Sequence, residues 1–487
     1  MKSKDPLPML AIALPARGSR TLTQSLHGQL LAAIRSGRLA PGLRLPATRA
    51  LAQHLGISRN SVVAAYERLE LEGHVSARTG SGHYVADAPV RAPARVTPAP
   101  ARTRERALAA GWRGLPPGAD MVDAPRSRFD FRLGVPDTAS LPFDAWRRLS
   151  ARALRSLARS APGYAGPAGQ PALRAAIAAH ASLTRAVACT ADDVVVTAGA
   201  QQAFDLLARV LVTPGRTVVA VEDPGYPPAR AAFAAAGAVV VPVPVDDEGL
   251  CVEGLPRDAQ VICVTPSHQF PLGCVLSAAR RRALLAFARR RGAVVIEDDY
   301  DGEFRFENRP LDALQTLDDD AAVFYVGTFS KSLFPALRLG YAIAPPWARA
   351  ALLLARQRAD WHGNLHAQDT LAAFIAEGHL ARHVRRMRAV YGERRRVLLD
   401  GVAGELGRWL APVPGCAGLH VATRAIVDLD LARVAGRAHA LGVNVDRIGR
   451  YAIGAGTRDG LLFGYGAIEA ASIPQAMALL RRAFAAA

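Results

Sequence analysis

The chain has very little lysine. Lys and Arg together number 60 in 487 residues, yet only Lys2, Lys4 and Lys331 are lysines. Arginine is effectively never deprotonated in proteins, whereas lysine can become a nucleophilic amine. Beyond Lys2 and Lys4 at the amino terminus, Lys331 is the one lysine in a chain that uses arginine for its other long cationic side chains, so it is a candidate for amine chemistry.

Cysteines and long apolar runs are also scarce. The five cysteines show neither the paired spacing of a zinc site nor that of a disulfide framework. No stretch of about 18 apolar residues occurs, and residues 7–14 are too short and proline-broken for a signal peptide. These absences argue against a membrane-spanning or secreted protein, and we expect a cytoplasmic one with reduced thiols.

Positive charge is concentrated toward the amino terminus. The net charge is +18, and residues 1–128 contain 19 Lys and Arg against eight Asp and Glu, an excess of eleven. Clustered positive charge suits a polyanion such as DNA, because neutralising phosphates drives binding. A general bias toward arginine is the alternative, so charge by itself supports DNA binding only weakly. The length predicts two or more domains.

Residues 1–86 have the pattern of a winged helix-turn-helix. Apolar residues at i+4 spacing over 22–34 predict a first helix, and residues 47–54 predict a short second one. A third helix begins after Ser58, a good N-cap. Residues 74–85 alternate around a Gly-Ser-Gly turn, as the β-hairpin of a wing does. An unrelated small helical domain is the alternative interpretation.

Candidate DNA contacts lie before and at the start of the second helix, at the start of the third helix and in the wing. A recognition helix places its amino-terminal residues on base edges, where arginine can read guanine, while flanking residues bind phosphates. For any one arginine alone, a solvated surface charge is the simpler interpretation. The candidates are Arg44, Thr48, Arg49, Ser58, Arg59, Asn60, Ser61, Arg78 and His83.

Four segments of this domain resemble a known family. The segments IRSGRLAPG, LPATRALA, LGISRNSV and GSGHYV, which start at residues 34, 45, 55 and 80, resemble the winged helix of the GntR family. The resemblance covers nearly the whole domain. It implies that Arg44, Arg49 and Arg59 contact DNA.

The rest of the chain predicts a linker and an α/β domain. Residues 87–128 are rich in Pro, Ala and Arg, as linkers are. Over 129–487, short β-branched runs alternate with helical segments, which predicts a mostly parallel sheet covered on both faces. We expect a large part over about 160–345 and a smaller carboxyl-terminal α+β part over about 346–487. In such sheets, the chemistry gathers beyond the carboxyl ends of the strands.

Two of these strand ends carry a phosphate-binding pattern and an acidic cluster. Small residues after the strand 194–197 open a helix whose N–H groups can hold a phosphate, and the candidates there are Gly199, Ala200 and Gln201. After the strand 293–296, Asp298 can keep a pyridine nitrogen protonated and Tyr300 can reach a ring hydroxyl. Magnesium binding or simple solvation is the alternative for the acidic residues.

A third strand end, after 323–326, carries Lys331. There the amine can form a Schiff base, and nearby side chains can bind a phosphate. The phosphate candidates are Thr328, Ser330 and Arg338.

This constellation resembles the fold-type I aminotransferases, which carry pyridoxal phosphate (PLP). The most specific segment is GTFSKSLFPALRLGY, residues 327–341. The resemblance implies that Tyr226 stacks on the cofactor ring and that Tyr164 reaches the phosphate of the neighbouring subunit in a homodimer. It also implies a carboxylate-binding arginine near the carboxyl terminus, for which Arg458 is the candidate, with Arg447 and Arg450 as competitors.

One departure bears on activity. Ordinary aminotransferases carry Asn-Pro where this chain has Phe270-Pro271, and Phe270 cannot donate a hydrogen bond to the ring hydroxyl. Together with the GntR-like domain, this variant resembles the MocR subfamily of regulators. The resemblance implies a PLP-dependent transcriptional regulator that senses PLP or its Schiff base (aldimine) with a small amino compound. An active aminotransferase with an accessory DNA-binding head, or a PLP domain serving only for dimerisation, are the alternatives.

Two histidine pairs have the i, i+4 spacing of helical metal ligands. They are His362/His366 and His379/His383. Neither has an obvious third ligand, so packing is the better interpretation and we expect no metal site.

Overall fold

The computed structural model describes residues 12–15, 19, 21–78, 80–87, 127–159, 163–306, 312–454 and 458–486. The chain divides into two compact units, Met1–Ala107 and Leu108–Ala487. The predicted linker, residues 87–128, lies outside the described residues except at its two ends.

The first unit has three helices and a hairpin. Its elements are α1 (Leu22–Arg35), α2 (Thr48–Leu55), α3 (Arg59–Leu71), β1 (Val75–Arg78) and β2 (Gly82–Val85). Gly56 ends α2 with a φ of +64°, a conformation that favours glycine and that produces the tight turn into α3. Ser58 caps α3, since its side chain accepts a hydrogen bond from the Ser61 amide. The predicted winged helix-turn-helix is confirmed.

Alternating segments build the second unit. Its helices are α4 (Phe143–Arg159), α5 (Pro171–Arg185), α6 (Ala200–Leu211), α7 (Pro227–Ala235), α8 (Ala278–Arg291), α9 (Arg349–Asp360), α10 (Leu365–Ala376), α11 (His379–Gly401), α12 (Leu431–Ala440) and α13 (Ile473–Ala485). Its strands are β3 (Phe129–Asp130), β4 (Val194–Thr197), β5 (Val218–Asp223), β6 (Val239–Asp246), β7 (Gly249–Leu250), β8 (Val261–Val264), β9 (Val294–Asp299), β10 (Val323–Thr328), β11 (Gly340–Ile343), β12 (Leu410–Pro412), β13 (His420–Ala425), β14 (Val443–Asn444), β15 (Asp446–Arg447) and β16 (Leu461–Gly464).

Eight strands form the large sheet, in the order β4-β11-β10-β9-β8-β5-β6-β7. The neighbours from β10 through β9, β8 and β5 to β6 are parallel, while β11 runs antiparallel between β10 and β4. The central strands are apolar along most of their length because helices cover both faces. The predicted α/β fold with a mostly parallel sheet is confirmed.

The carboxyl-terminal part has its own small antiparallel sheet, in the order β12-β13-β16-β15. Strand β3, at the start of the unit, pairs with β14 of this part rather than with the large sheet. A smaller α+β part was therefore correctly predicted. None of the helices in the described ranges is long and apolar enough to cross a membrane.

Candidate functional site

Strand β9 continues through the acidic cluster that the sequence pattern places after it. The predicted strand ends at Ile296, whereas the observed one ends at Asp299. Side chains alternate along a strand, so Glu297 and Asp299 lie on one face and Asp298 on the other. Asp299 pairs with Arg185 at 2.5 Å, and Glu297 accepts hydrogen bonds from two backbone amides. Asp298 alone is left on the opposite face.

The Asp298 carboxylate has no protein donor on one of its oxygens. The residue is buried, and no described group donates a hydrogen bond to Oδ1. Burial raises the pKa of Asp298 well above its ordinary value, and the neighbouring charges of Asp299 and Glu222 raise it further. A buried polar atom left unpaired costs about 1–3 kcal/mol. This oxygen therefore indicates a ligand that donates a hydrogen bond here.

The Lys331 amine lies near Asp298. Burial lowers the pKa of Lys331, against the opposing charges of Asp301 and Asp298. Its Nζ donates a hydrogen bond of 2.7 Å to the carbonyl of Gly134. A Cβ on Gly134 would lie 2.5 Å from Nζ, and the φ of this residue is +70°. Only glycine fits beside the amine without displacing it.

The predicted phosphate-binding residues lie around the start of α6. Gly340 pairs with Thr197 on one side and Thr328 on the other, which brings the ends of β4 and β10 together. Arg338 donates a hydrogen bond of 2.7 Å to the carbonyl of Ala198. Thr328 Oγ1 donates a hydrogen bond of 3.0 Å to Ser330 Oγ. Arg338 also lies close to Gly199, because a Cβ added to that glycine would be 3.0 Å from Arg338 Nη2. The first turn of α6 presents Ala200 and Gln201 beside them.

Aromatic rings surround Phe270. Its ring centroid is 5.3 Å from Tyr226, 6.0 Å from Tyr300 and 5.1 Å from Tyr451. Tyr226 also lines a small cavity together with Asp298. Burial raises the pKa of Tyr226 to about 12, so its hydroxyl stays neutral. Phe270 therefore supplies an apolar edge where an amide would supply a donor.

A buried carboxyl group fixes the backbone at Phe270. The Phe270 amide donates to Thr265 Oγ1, and that hydroxyl donates to Glu222 Oε2 at 2.5 Å. Gln269 Nε2 donates to the same oxygen at 3.3 Å. Burial raises the pKa of Glu222 to about 7. Sequence reasoning missed Glu222, although it directly precedes the segment that carries Tyr226.

The small part closes over this region through one carboxylate. Asp223 accepts hydrogen bonds from the amides of Ile453 at 2.7 Å and Gly454 at 2.8 Å. The carbonyl of Tyr451 accepts from the Gly225 amide and from Arg230 Nη1. Segment 451–454 is thus held against the loop that carries Tyr226.

Two of the three arginines considered for a substrate carboxylate have acidic partners. Arg447 lies 3.2 Å from Asp459, and Arg450 lies 2.9 Å from Asp446. Arg458 is exposed and has no ion pair within the described ranges. Its role stays a prediction.

The histidine pairs noted in the sequence make ordinary packing contacts. His366 Nε2 lies 3.1 Å from the hydroxyl of Ser150, and the His379 ring stacks on Phe374 at 5.4 Å.

Basic side chains are exposed on the first unit around the start of α3 and the hairpin. Arg44, Arg49, Arg59 and Arg78 are exposed, and none forms an ion pair with another described residue. The Arg78 guanidinium lies over the Tyr84 ring at 4.6 Å. The structure thus leaves four cations available for phosphates or bases.

The acidic residues of α3 lie toward its other end. Glu72, just after the helix, pairs with His27 at 2.8 Å and with Arg68 at 3.1 Å. At the amino-terminal end, Asn60 is exposed. His83, a predicted DNA contact, instead packs edge-to-face against Tyr66 at 5.1 Å. Its contact with DNA stays a prediction, as do those of Thr48, Ser58 and Ser61.

Comparisons with known proteins match both units. Residues 22–85 match the family of bacterial regulatory proteins of the gntR family, and residues 129–439 match aminotransferase class I and II. The probable rhizopine catabolism regulatory protein MocR of Rhizobium meliloti is 37% identical over 466 residues, covering 95% of this chain and 93% of that protein. The chain belongs to the MocR subfamily of GntR-family regulators.

Further MocR-type relatives span both units. The HTH-type transcriptional regulator TauR of Rhodobacter capsulatus is 36% identical, covering 98% of this chain and 99% of its own. The HTH-type pyridoxine biosynthesis transcriptional regulator PdxR of Corynebacterium glutamicum is 34% identical, covering 94% of each chain. Among solved structures, the α-aminoadipate aminotransferase LysN of Thermus thermophilus matches with a TM-score of 0.67 and 28% identity, over 74% of this chain and 92% of its own.

This MocR-subfamily protein is a DNA-binding transcriptional regulator that binds PLP. The unpaired Oδ1 of Asp298 fits a protonated ring nitrogen, and the α6 start with Arg338 fits a phosphate. Sequence reasoning missed two further residues of the site. Gly134 contacts Lys331, and His268 contacts Tyr300, but each pair is brought together only by folding of distant segments. The position of His268, two residues before Phe270 in the segment that departs from ordinary aminotransferases, could have drawn attention to it. No local sequence feature indicates a role for Gly134.

Proposed function

We propose that the aminotransferase-like unit is a sensor of PLP, alone or joined to a small amino compound, and that its state controls promoter binding by the winged helices. The observation that carries the proposal is a buried Asp298 oxygen that has no hydrogen-bond partner among the described residues and lies near the Lys331 amine. The same chain exposes arginines without ion pairs on its described winged helix. When bound, PLP supplies an aldehyde that combines with amines and a ring that withdraws electrons.

In this proposal, each residue of the site has one task. Lys331 attaches the cofactor, and its lowered pKa favours the neutral, nucleophilic amine. Asp298 accepts the hydrogen bond of the ring nitrogen, and Tyr300 donates to the ring oxygen. Tyr226 packs on the ring. The phosphate is held by Gly199, Ala200, Gln201, Thr328, Ser330 and Arg338.

We also propose that the cytoplasmic protein is a homodimer. Tyr164 is 83% exposed and stacks on Trp361, itself 46% exposed, with ring centroids 4.9 Å apart. Exposed stacked aromatics of this size are typical of protein interfaces. A cavity of about 490 Å³ is bordered by Arg338 and by the buried Arg356. An opening beside Arg338 would let a second copy contribute Tyr164 to the phosphate.

A sensor must bind its ligand with different free energy in two arrangements of the protein. The test is promoter binding, measured by anisotropy with and without PLP and with a panel of amines, for wild type and Lys331→Ala. Lys331→Arg keeps a long, nitrogen-bearing side chain but cannot attach PLP, so it is the matched variant. We expect ligand-dependent promoter affinity in wild type only. Equal responses in all three proteins would contradict the proposal.

An active aminotransferase is the second candidate, because Lys331, Asp298 and Tyr300 are intact. Phe270 provides no donor to the ring oxygen, and two of the three candidate carboxylate-binding arginines already have acidic partners. Steady transfer of an amino group between an amino acid and an oxo acid, abolished by Lys331→Ala, would favour the enzyme over the sensor.

A further inference from the structure

His268 lies between Tyr300 and a second carboxylate. Its Nδ1 is 2.9 Å from Tyr300 Oη and lies 3.1 and 3.0 Å from the two oxygens of Asp301. His268 is 3% exposed and Asp301 1% exposed, so water does not compete for these bonds. The three side chains form one local hydrogen-bond chain.

One hydrogen atom determines the direction of these bonds. A carboxylate only accepts, so Nδ1, within bonding distance of both Asp301 oxygens, carries a hydrogen. A nitrogen that carries a hydrogen in the ring plane has no lone pair there to accept from Tyr300. Tyr300 therefore cannot donate to this nitrogen, and its hydroxyl hydrogen remains free to be donated elsewhere.

The Tyr300 hydroxyl keeps that hydrogen over the physiological range. Burial raises the pKa of Tyr300 well above its ordinary value, and the charges of Asp301 and Asp298 raise it further. The hydroxyl is thus a hydrogen-bond donor that His268 Nδ1 does not occupy.

The small part of the unit also holds His268 in place. A Cβ on Gly418, just before β13, would collide with the His268 ring. His420, on β13, lies with its ring centroid 4.7 Å from that of His268, and its Nε2 donates to the Pro271 carbonyl at 2.9 Å. Burial lowers the pKa of His420 to about 3, so this neighbour is neutral.

These residues also have the composition of a metal site. His268, Asp301 and His420 each bring one ligand atom within 4.8 Å of the others. The hydrogen on His268 Nδ1 faces Asp301, and His420 Nε2 donates to a carbonyl. We therefore interpret the cluster as hydrogen-bonded rather than metal-binding.

We infer that His268, oriented by Asp301, is a positioning residue that leaves the Tyr300 hydroxyl free to donate to the ring oxygen of PLP. This contact is the one for which Phe270 provides no donor. The inference rests on the proposed function. It explains how Tyr300 can donate a hydrogen bond to the ring oxygen at a site where Phe270 donates none. It also makes the tautomer of one buried histidine a determinant of cofactor binding.

The test compares full-length wild type, His268→Asn, Tyr300→Phe and the double variant, with the exposed His439→Asn as control. Two quantities are measured: the dissociation constant for PLP by equilibrium dialysis, and the pH at which the visible band of the lysine-linked cofactor changes. Asp301→Asn, which is nearly isosteric, tests the hydrogen atom without removing the ring.

We expect His268→Asn to weaken PLP binding about tenfold, because the Tyr300 hydroxyl, no longer held in position, loses one hydrogen bond to a charged group. The pH of the spectral change should rise, because the ring oxygen and the lysine-linked nitrogen share one proton. Without a donor to the oxygen, that proton is harder to remove. In the Tyr300→Phe background, His268→Asn should add nothing, and Asp301→Asn should shift both quantities in the same direction as His268→Asn.

Unchanged values in both His268→Asn and Asp301→Asn would overturn the inference while leaving the proposed function standing. An undiminished effect of His268→Asn in the Tyr300→Phe background would show a merely structural role and overturn it equally. If wild type itself develops no visible band with PLP, the proposed function and the inference are both wrong.

Discussion

The Gly134→Ala variant should slow the attachment of PLP to Lys331 more than its loss of folding stability can explain. A methyl group at this position would lie 2.5 Å from Lys331 Nζ, whereas ordinary contact begins at 3.4 Å. The amine, at the end of a flexible side chain, must therefore move by about 0.9 Å. That movement also breaks its 2.7 Å hydrogen bond to the Gly134 carbonyl.

Two separate effects follow, and their sizes differ. Alanine in the left-handed region costs about 1–2 kcal/mol of stability wherever it occurs. A displacement of about 1 Å at a reacting group can lower its rate on the order of 100-fold. We expect PLP to attach about 10- to 100-fold more slowly to Gly134→Ala than to wild type.

Gly215→Ala is the matched control. Its φ is +72° against +70° for Gly134, and a Cβ there meets nothing within 4 Å. Both variants should lose similar stability in urea unfolding, but only Gly134→Ala should slow the growth of the visible PLP band under stopped-flow mixing. Equal attachment rates in the two variants would refute the role assigned to this contact.

Three other predictions concern the DNA face, a buried acid and the closing segment. Arg59→Ala should weaken specific promoter binding by about 1–3 kcal/mol in anisotropy titrations, whereas Arg68→Ala, on the same helix but paired with Glu72, should have little effect. Glu222 has its pKa raised by burial to about 7, so the native state binds its proton more tightly than the unfolded chain does. Its stabilising contribution is complete below about pH 4.5 and is lost as the pH rises through 7. Glu222→Gln should therefore flatten the fall in unfolding free energy over that window, by about 3 kcal/mol at most, and an unchanged pH slope in urea unfolding would contradict this. Asp223→Ala should speed hydrogen exchange at the two amides it accepts from, at positions 453 and 454; Asp247→Ala, which removes an exposed ion pair, should not.

Local patterns were enough to single out several candidate site residues, whose roles stay predictions. Lys331, Arg338 and Asp298 were proposed because strand ends are recognisable from short apolar runs and because the carboxyl ends of parallel strands meet. The boundary of β9 was wrong since acidic residues rarely continue a buried strand. Here Arg185, from a helix over 100 residues earlier, neutralises one of them.

Contacts between distant segments were out of reach. The Gly134–Lys331 hydrogen bond joins residues 197 positions apart. The approach of Gly418 to His268 depends on how the small sheet packs on the large one. No spacing in the sequence encodes these distances, because they result from packing of whole elements rather than from local propensity.

The pairing of β3 with β14 places the backbone contact of the cofactor lysine close, along the chain, to a segment that is fixed to the small part. Asp130 is fastened to the edge of the small part by this pairing, and Gly134, four residues later, holds the cofactor lysine. Any change in how the Lys331 amine bonds to the Gly134 carbonyl therefore acts on a backbone segment that the small part holds four residues away.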